Sequence, residues 1–167
     1  DYVSSTPCVE IIAGRKHIHA IELFDQEMVG KTDEYEKVLL DLFRRFRAQV
    51  VTKDINANTI THYLGCNLKT VKRIMRAIKE RFPGAETDQR KVAIVSAIGS
   101  DMQVPGLLAK AVSALANESI SVVAMHQSMR QVDMQFIIDD EDYEVAVRSL
   151  HNGLIEPYNY GEAICAA

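Results

Sequence analysis

The chain has 167 residues, of which 47% are apolar and 25% are charged, and its formal net charge is −4. This length and composition suit one globular domain or two small modules with a buried core. The apolar runs are too short for a transmembrane helix, and the mildly acidic balance gives no electrostatic reason to expect nucleic acid or an anionic membrane as a partner.

Hydrophobic periodicity predicts alternating strands and helices along the chain. In chain order the predicted elements are strands 9–13 and 17–23, helix 34–47, strands 50–55 and 59–64, helix 67–82, a short edge strand 86–90, strand 91–98, helix 105–117, strands 120–127 and 131–138, and helix 141–152.

Capping and turn residues predict where these elements begin and end. Gly14 is expected to end the first strand, and Gly153 to end the last helix. Asn67 is expected to cap the second helix, whereas Thr32 or Asp33 is expected to cap the first.

The predicted order contains β-α-β-β-α twice, with a period of roughly 75 residues. We therefore predict an α+β protein of two nested ferredoxin-like βαββαβ domains, with antiparallel sheets and helices on one face. The second copy lacks a good last strand, whereas strand 9–13 is surplus before the first copy. We expect that strand to complete the second sheet, since an open position would leave backbone groups unpaired. The predicted domains are 15–89, then 8–14 with 90–153, followed by a tail at 154–167.

Each copy places a loop with an acid and a glycine between its first strand and first helix. These loops are 25–30 and 100–106. Glycine lets backbone N–H groups approach a ligand, and a helix N-terminus suits a carboxylate. The acid of the loop can hold an ammonium group, so the pattern fits an amino acid, although ordinary turn chemistry also explains it. The strand ends at 53–58 and 126–128 would face these loops, as polar lining or as turns.

The sequence contains no motif of nucleophilic, metal or P-loop catalysis. Glu22, Asp25 and Glu27 are close in sequence, but we interpret them as solvated loop acids. The histidines are scattered and are interpreted as surface or hydrogen-bonded imidazoles. We therefore expect no catalytic residue and no metal site in this chain.

Cysteine usage and the first residues indicate context. Cys8, Cys66 and Cys165 are far apart and form no CxxC or Cys/His cluster, which favours a reducing cytoplasm. The chain starts on a polar segment without Met, so we expect it to be a fragment of a longer protein.

Residues 91–154 resemble the last ACT domain of aspartate kinases. The shared pattern is a strand, a G-x-x-M-x-x-x-PG loop, a helix, a strand with a polar end, a strand ending in acids, and E-x-A-x-x-x-L-H. Residues 21–64 are similar to the inserted first ACT domain of that family, and the sequence looks closest to the members associated with ectoine production. The first loop departs from the family, because Val29-Gly30 replaces the usual Pro-Gly pair.

The resemblance implies a regulatory module rather than a catalyst. It implies that the parent enzyme phosphorylates aspartate with MgATP through a kinase domain absent here, while this fragment needs no cofactor. It implies an amino-acid effector of the lysine or threonine class and a homodimer formed through the ACT domains. The implied effector-binding residues are Asp25, Met28, Val29, Gly30, Asp54, Ile55, Asn56 and Asn58. The implied second loop or interface comprises Asp101, Met102, Pro105, Gly106, Gln127 and Ser128.

Other functions of the same fold are less well supported. A dimerisation-only ACT module without effector binding remains open. An RNA-binding domain would need aromatic residues on the central strands and a basic face, but those strands carry Val, Ile, Ala and Met. An acylphosphatase-like enzyme would need an Arg in a phosphate cradle, and Arg15 is better explained as a residue between strands.

Overall fold

The structure is a computed structural model that describes residues 8–158. Its strands are β1 Cys8–Phe24, β2 Gln49–Ile55, β3 Thr59–Gly65, β4 Glu86–Ser100, β5 Val122–Gln127 and β6 Asp133–Asp139. Its helices are α1 Thr32–Arg45, α2 Leu68–Arg81, α3 Leu107–Asn117 and α4 Tyr143–Leu154, with 3₁₀ turns at Gln26–Met28, Asp140–Asp142 and Glu156–Tyr158. Cys165 and most of the predicted tail lie outside the described residues.

The chain forms two compact units, one of which comprises residues 17–91. Its strand order is β2-β3-β1-β4, and β3 lies antiparallel to both β1 and β2. Ile21 of β1 and Lys53 of β2 both face His62 of β3 in the register. The apolar faces of α1 and α2 pack on one side of this sheet and make a core with Leu39, Phe43 and Ile74.

The other unit comprises residues 8–16 and 92–158 of the described chain. Its strand order is β1-β4-β6-β5, with β6 antiparallel to β4 and β5. Helices α3 and α4 cover one face, and their core includes Ala111, Leu115 and Leu150. Residues 8–16 occupy the fourth strand position of this sheet.

Both units therefore have the strand order of a ferredoxin-like βαββαβ fold, and the predicted fold class is confirmed. The two copies also share a local irregularity: the second strand of each copy carries a register shift at the same place. It lies between Val50 and Thr52 in β2 and between Val122 and Ala124 in β5. Such bulges bend an edge strand and increase its twist.

Two glycines do not end the elements that they were predicted to end. Gly14 lies inside β1, which continues to Phe24, and Gly153 lies inside α4, which continues to Leu154. A Cβ on Gly14 would lie 2.5 Å from Cε2 of Tyr143, and one on Gly153 would lie 3.1 Å from Cβ of Ala114. Each glycine thus permits the close approach of a neighbouring element.

One predicted helix cap is confirmed and one is wrong. Asn67 Oδ1 accepts a hydrogen bond of 2.9 Å from the backbone N–H of Thr70 at the start of α2. The N-cap of α1 is Lys31, which makes no side-chain capping bond, so neither Thr32 nor Asp33 caps this helix. The helix begins earlier than predicted, because the tight turn that starts at Met28 ends at Lys31, directly before the first helical residue.

None of the helices in residues 8–158 combines the length and apolar character that a membrane crossing needs.

Candidate functional site

The loop after β1 is held by its first residue, Asp25. The backbone N–H of Asp25 donates to the carbonyl oxygen of Asn58 at 3.0 Å, which joins this loop to the β2–β3 turn. Its side chain caps the following 3₁₀ turn, since Oδ1 accepts from the backbone N–H of Glu27 at 2.9 Å. Oδ2 accepts from the hydroxyl of Tyr35 on α1 at 3.0 Å. Asp25 therefore connects three segments of the unit.

The second half of this loop is a tight turn between Met28 and Lys31. The Lys31 N–H donates to the Met28 carbonyl at 2.7 Å. Val29 has φ −55° and ψ 122°, and Gly30 has φ +78°, which are the angles of a type II turn. Met28 is fully buried and anchors the turn in the core, whereas Val29 is 59% exposed. The turn thus presents Val29 and the backbone of Gly30 outward, directly before α1.

Replacing Gly30 with Ala is expected to destabilise the protein by about 1 kcal/mol, because a residue with a Cβ is disfavoured at this positive φ. No heavy atom lies within 4 Å of the position that the Cβ would take, so steric contact adds nothing. Urea unfolding of Gly30→Ala checks this expectation. Gly84→Ala, which also has open space but no positive φ, is the matched control; equal losses in both variants would contradict the backbone explanation.

The end of β2 and the following turn face the same loop. Asp54 is half-buried, and its Oδ2 accepts from the hydroxyl of Tyr63 on β3 at 2.7 Å. The Asn56 N–H donates to the Thr59 carbonyl at 2.8 Å and closes the hairpin. Asn58 Oδ1 accepts from the hydroxyl of Thr59 at 3.1 Å, and Ile55 is 42% exposed. The hairpin therefore offers carboxylate, amide and apolar groups at its end.

Two tyrosines fix the carboxylates of this site, and the sequence reasoning did not single them out. Burial, followed by the hydrogen bond to Asp25, raises the pKa of Tyr35, and burial also raises the pKa of Tyr63, which Asp54 accepts from. Both phenols therefore stay protonated and act as donors at neutral pH. Their spacing gave no signal, since each lies in an amphipathic element where an aromatic residue is ordinarily part of the core.

Of the predicted effector residues, the structure brings Asp25 and Asn58 into direct contact, and it places Val29 and Gly30 on the same loop. Met28 faces the core instead, so it supports the loop rather than the surface of the site. The site therefore offers carboxylate oxygens, which are acceptors for an ammonium group, and the N–H groups in the first turn of α1, which suit an anion.

The second loop repeats part of this design. Met102 is buried, Gly106 has φ +90° and caps α3, and Pro105 precedes it. Asp101 also has a positive φ, of 51°. At the end of β5, the Ser128 carbonyl accepts from the Gln131 N–H at 3.0 Å, which closes a tight turn after Gln127. A buried methionine followed by a left-handed glycine thus precedes the first helix of both copies.

His62 departs from the interpretation of the histidines as surface or hydrogen-bonded groups. Its ring is 1% exposed, and Nε2 has no hydrogen-bond partner. Glu36 Oε1 lies 3.9 Å from Nε2 and accepts a hydrogen bond from Lys53, while the ring of Phe43 meets the imidazole edge-on at 4.8 Å. Burial lowers the pKa of His62 to about 4. Its position between Ile60 and Leu64, which face the core, was the available signal.

The two predicted acids Glu22 and Asp25 have different hydrogen-bond partners. Glu22 Oε2 accepts a long hydrogen bond of 3.4 Å from the hydroxyl of Thr61 on β3. Residues 8–158 bring together no group of three or more His, Cys, Asp or Glu side chains suited to a metal ion.

The chain is similar to known proteins both in sequence and in fold. Residues 95–154 match the family model described as an ACT domain. Over all its 167 residues the chain is 50% identical to the aspartate kinase Ask_Ect of Stutzerimonas stutzeri strain A1501. It covers 35% of that protein, so it spans about a third of the length of this relative.

Solved structures share the fold. The aspartate kinase of Clostridium acetobutylicum superposes with a TM-score of 0.76 at 18% identity, over 89% of this chain and 35% of that one. The regulatory subunit of aspartate kinase from Thermus flavus gives 0.69 at 18% identity, over 88% and 99%. Aspartokinase III of E. coli, in complex with lysine and aspartate, gives 0.68 at 15% identity, over 90% and 34%.

Proposed function

We propose that this chain, which matches an ACT-domain model over residues 95–154 and is related along its full length to an aspartate kinase, senses an amino acid and controls an enzyme of that kind. The effector binds where loop 25–30 meets the hairpin end at 54–58. The module also pairs with a second copy through its ACT domains.

One observation carries this proposal: the hydrogen bond from the Asp25 N–H to the Asn58 carbonyl joins the loop and the hairpin in one surface. This surface lies beside the start of α1. Asp25 and Asp54 supply acceptors for an ammonium group, and their tyrosine donors hold them in place. The first-turn N–H groups of α1 are hydrogen-bond donors for a carboxylate, although Asp33 and Glu34 of the same turn reduce the positive potential there.

Lysine is the first effector to test. The E. coli relative that shares this fold was solved in complex with lysine and aspartate. Lysine carries two ammonium groups, which two carboxylates can receive, whereas threonine carries one. Threonine is therefore the comparison ligand.

The regulatory step is a shift in population between two arrangements of the ACT pair. A ligand that binds one arrangement more tightly favours it, and the attached kinase domain responds to the change. The parent enzyme would transfer phosphate from MgATP to aspartate in the cytoplasm, with all catalytic groups outside this chain.

Asp54→Ala is expected to weaken lysine binding to the 167-residue chain about tenfold or more, because it removes a charged hydrogen-bond acceptor. Isothermal titration calorimetry with lysine and with threonine measures this change. Asp88→Ala is the matched control, since Asp88 is an exposed acid of the same unit that accepts from the backbone N–H of Gln89. It should leave binding unchanged.

Two results would reject effector sensing at this site. One is the absence of both heat and a shift in melting temperature with any amino acid derived from aspartate. The other is equal weakening by the Asp54 and Asp88 variants. The first result, together with a dimer in sedimentation experiments, would support the alternative of a dimerisation-only module.

A further inference from the structure

The outer face of α2 carries a dense group of cations. Between residues 42 and 79 the chain has nine Lys or Arg residues and a single acid, Asp54. Five of the nine are exposed on α2 and form no ion pair within residues 8–158. They are Lys69, Lys72, Arg73, Arg76 and Lys79, and we call them the α2 cation row.

This arrangement disfavours the isolated helix. Lys69, Arg73 and Arg76 are three and four residues apart, and Lys72 is four residues before Arg76, so like charges are neighbours along the helix. The first turn of α2 contains no acid, although the positive end of the helix dipole favours one there. Local rules broken together in this way are expected at functional or strained sites.

A groove runs beside the cation row, between α1 and α2. Its volume is about 480 Å³, and Val38, Leu42 and Ala77 form its apolar part. Arg45 and Arg81 line it as well, together with the carboxylates of Asp41 and Glu80. The groove therefore combines space for an apolar side chain with charged groups on its sides.

We propose that the α2 cation row and this groove are a docking surface for an acidic segment of a partner protein. The carboxylates of the segment would lie along the cation row, and one apolar side chain would enter the groove. The net positive charge of the row is complementary to such a segment, and desolvating an apolar anchor adds affinity that charge alone lacks.

The chemistry of the groove favours protein over nucleic acid as the occupant. Asp41 and Glu80 would repel a phosphate backbone. Single-stranded nucleic acid needs open aromatic faces for stacking, but Phe46 lies beneath the guanidinium groups of Arg45 and Arg73, each 5.2 Å from the ring centroid.

Fluorescence anisotropy with the 167-residue chain tests the proposal. The probe is a labelled synthetic helical peptide with glutamates on one face and a single leucine among them. We expect Lys72→Glu with Arg76→Glu to raise the dissociation constant at least tenfold. Replacing the leucine by alanine should weaken binding several-fold, and added salt should weaken it steeply.

Arg130→Glu with Arg148→Glu is the matched control, because it makes the same change in net charge at exposed positions of the other unit. Thermal unfolding monitors the fold of each variant. The proposal would be overturned if both double variants weakened peptide binding equally, or if replacing the leucine left the dissociation constant unchanged. Tighter binding of poly-uridine RNA than of the peptide would overturn it too. Self-association that the α2 variant abolishes, without peptide binding, would overturn it as well, by making a second copy the occupant.

Discussion

Acidification from pH 7 to pH 4 is expected to lower the free energy of unfolding by about 3 kcal/mol through His62 alone. The imidazole is buried and neutral in the folded protein, with its pKa lowered from 6.5 to about 4. The unfolded chain therefore binds this proton more readily between those two values. The free energy of unfolding is therefore unaffected by His62 above pH 6.5, and it decreases as the pH falls from 6.5 towards 4. Burial outweighs the opposing attraction of Glu36, and Lys53 adds to the lowering.

Urea unfolding at pH 7, 6, 5 and 4 measures this dependence in the native chain and in His62→Leu. The variant should lose about 3 kcal/mol less than the native chain over this interval, because it has no proton to bind at that position. A histidine titration by NMR gives a second measure that does not depend on the fold of a variant. A His62 pKa near 6.5 in the folded chain would contradict the expectation.

The fold was predictable because its strongest signals are periodic and repeated. The apolar stripes of α1 and α2 lie where the 3.6-residue period placed them, and the alternation of β3 and β6 set which face is buried. Strand counting also pointed to a partner for residues 9–13 in the second sheet, because each sheet of this fold has a fixed number of positions.

Element ends were less predictable, since they depend on contacts between segments distant in sequence. A glycine at the end of a periodic segment usually marks the end of a strand or helix, which is why Gly14 and Gly153 were predicted to be ends. Each instead packs closely against a distant residue that no local pattern reveals: Gly14 against Tyr143, and Gly153 against Ala114. A glycine therefore carries two meanings, a turn or a close approach, and tertiary structure decides between them.

The candidate site shows the same division. The loop with Asp25 and Gly30 could be recognised by its acid, its glycine and the helix behind it. The hydroxyl donors from Tyr35 and Tyr63 could not, because hydrogen bonds across elements depend on the register of the sheet and the packing of the helix. His62 was hidden for a related reason, since alternation places a residue in the core without saying whether its polar atoms find partners.

Gly14→Ala is expected to destabilise the protein by roughly 2 kcal/mol, the scale of overpacking in a well-packed interior. The new Cβ would lie 2.5 Å from Cε2 of Tyr143 and 2.7 Å from the carbonyl oxygen of Ile94. The tyrosine ring can move at the expense of its contacts. The carbonyl belongs to the β4 backbone, which other hydrogen bonds hold, so the strand itself must shift. Urea unfolding of the variant measures the loss.

A double-mutant cycle separates the two contacts. Tyr143→Leu removes the ring contact, so Gly14→Ala should cost less stability in the Tyr143→Leu background than in the native chain. The cost that remains in that background comes from the contact with the Ile94 carbonyl. No cost of Gly14→Ala in the Tyr143→Leu background would show that the backbone adjusts freely. An unchanged cost would assign the whole destabilisation to the contact with β4. Gly84→Ala, with no heavy atom within 4 Å of its Cβ, should change stability little. A Gly14→Ala variant as stable as the native chain would contradict the close approach of β1 to α4 as the reason for glycine at this position.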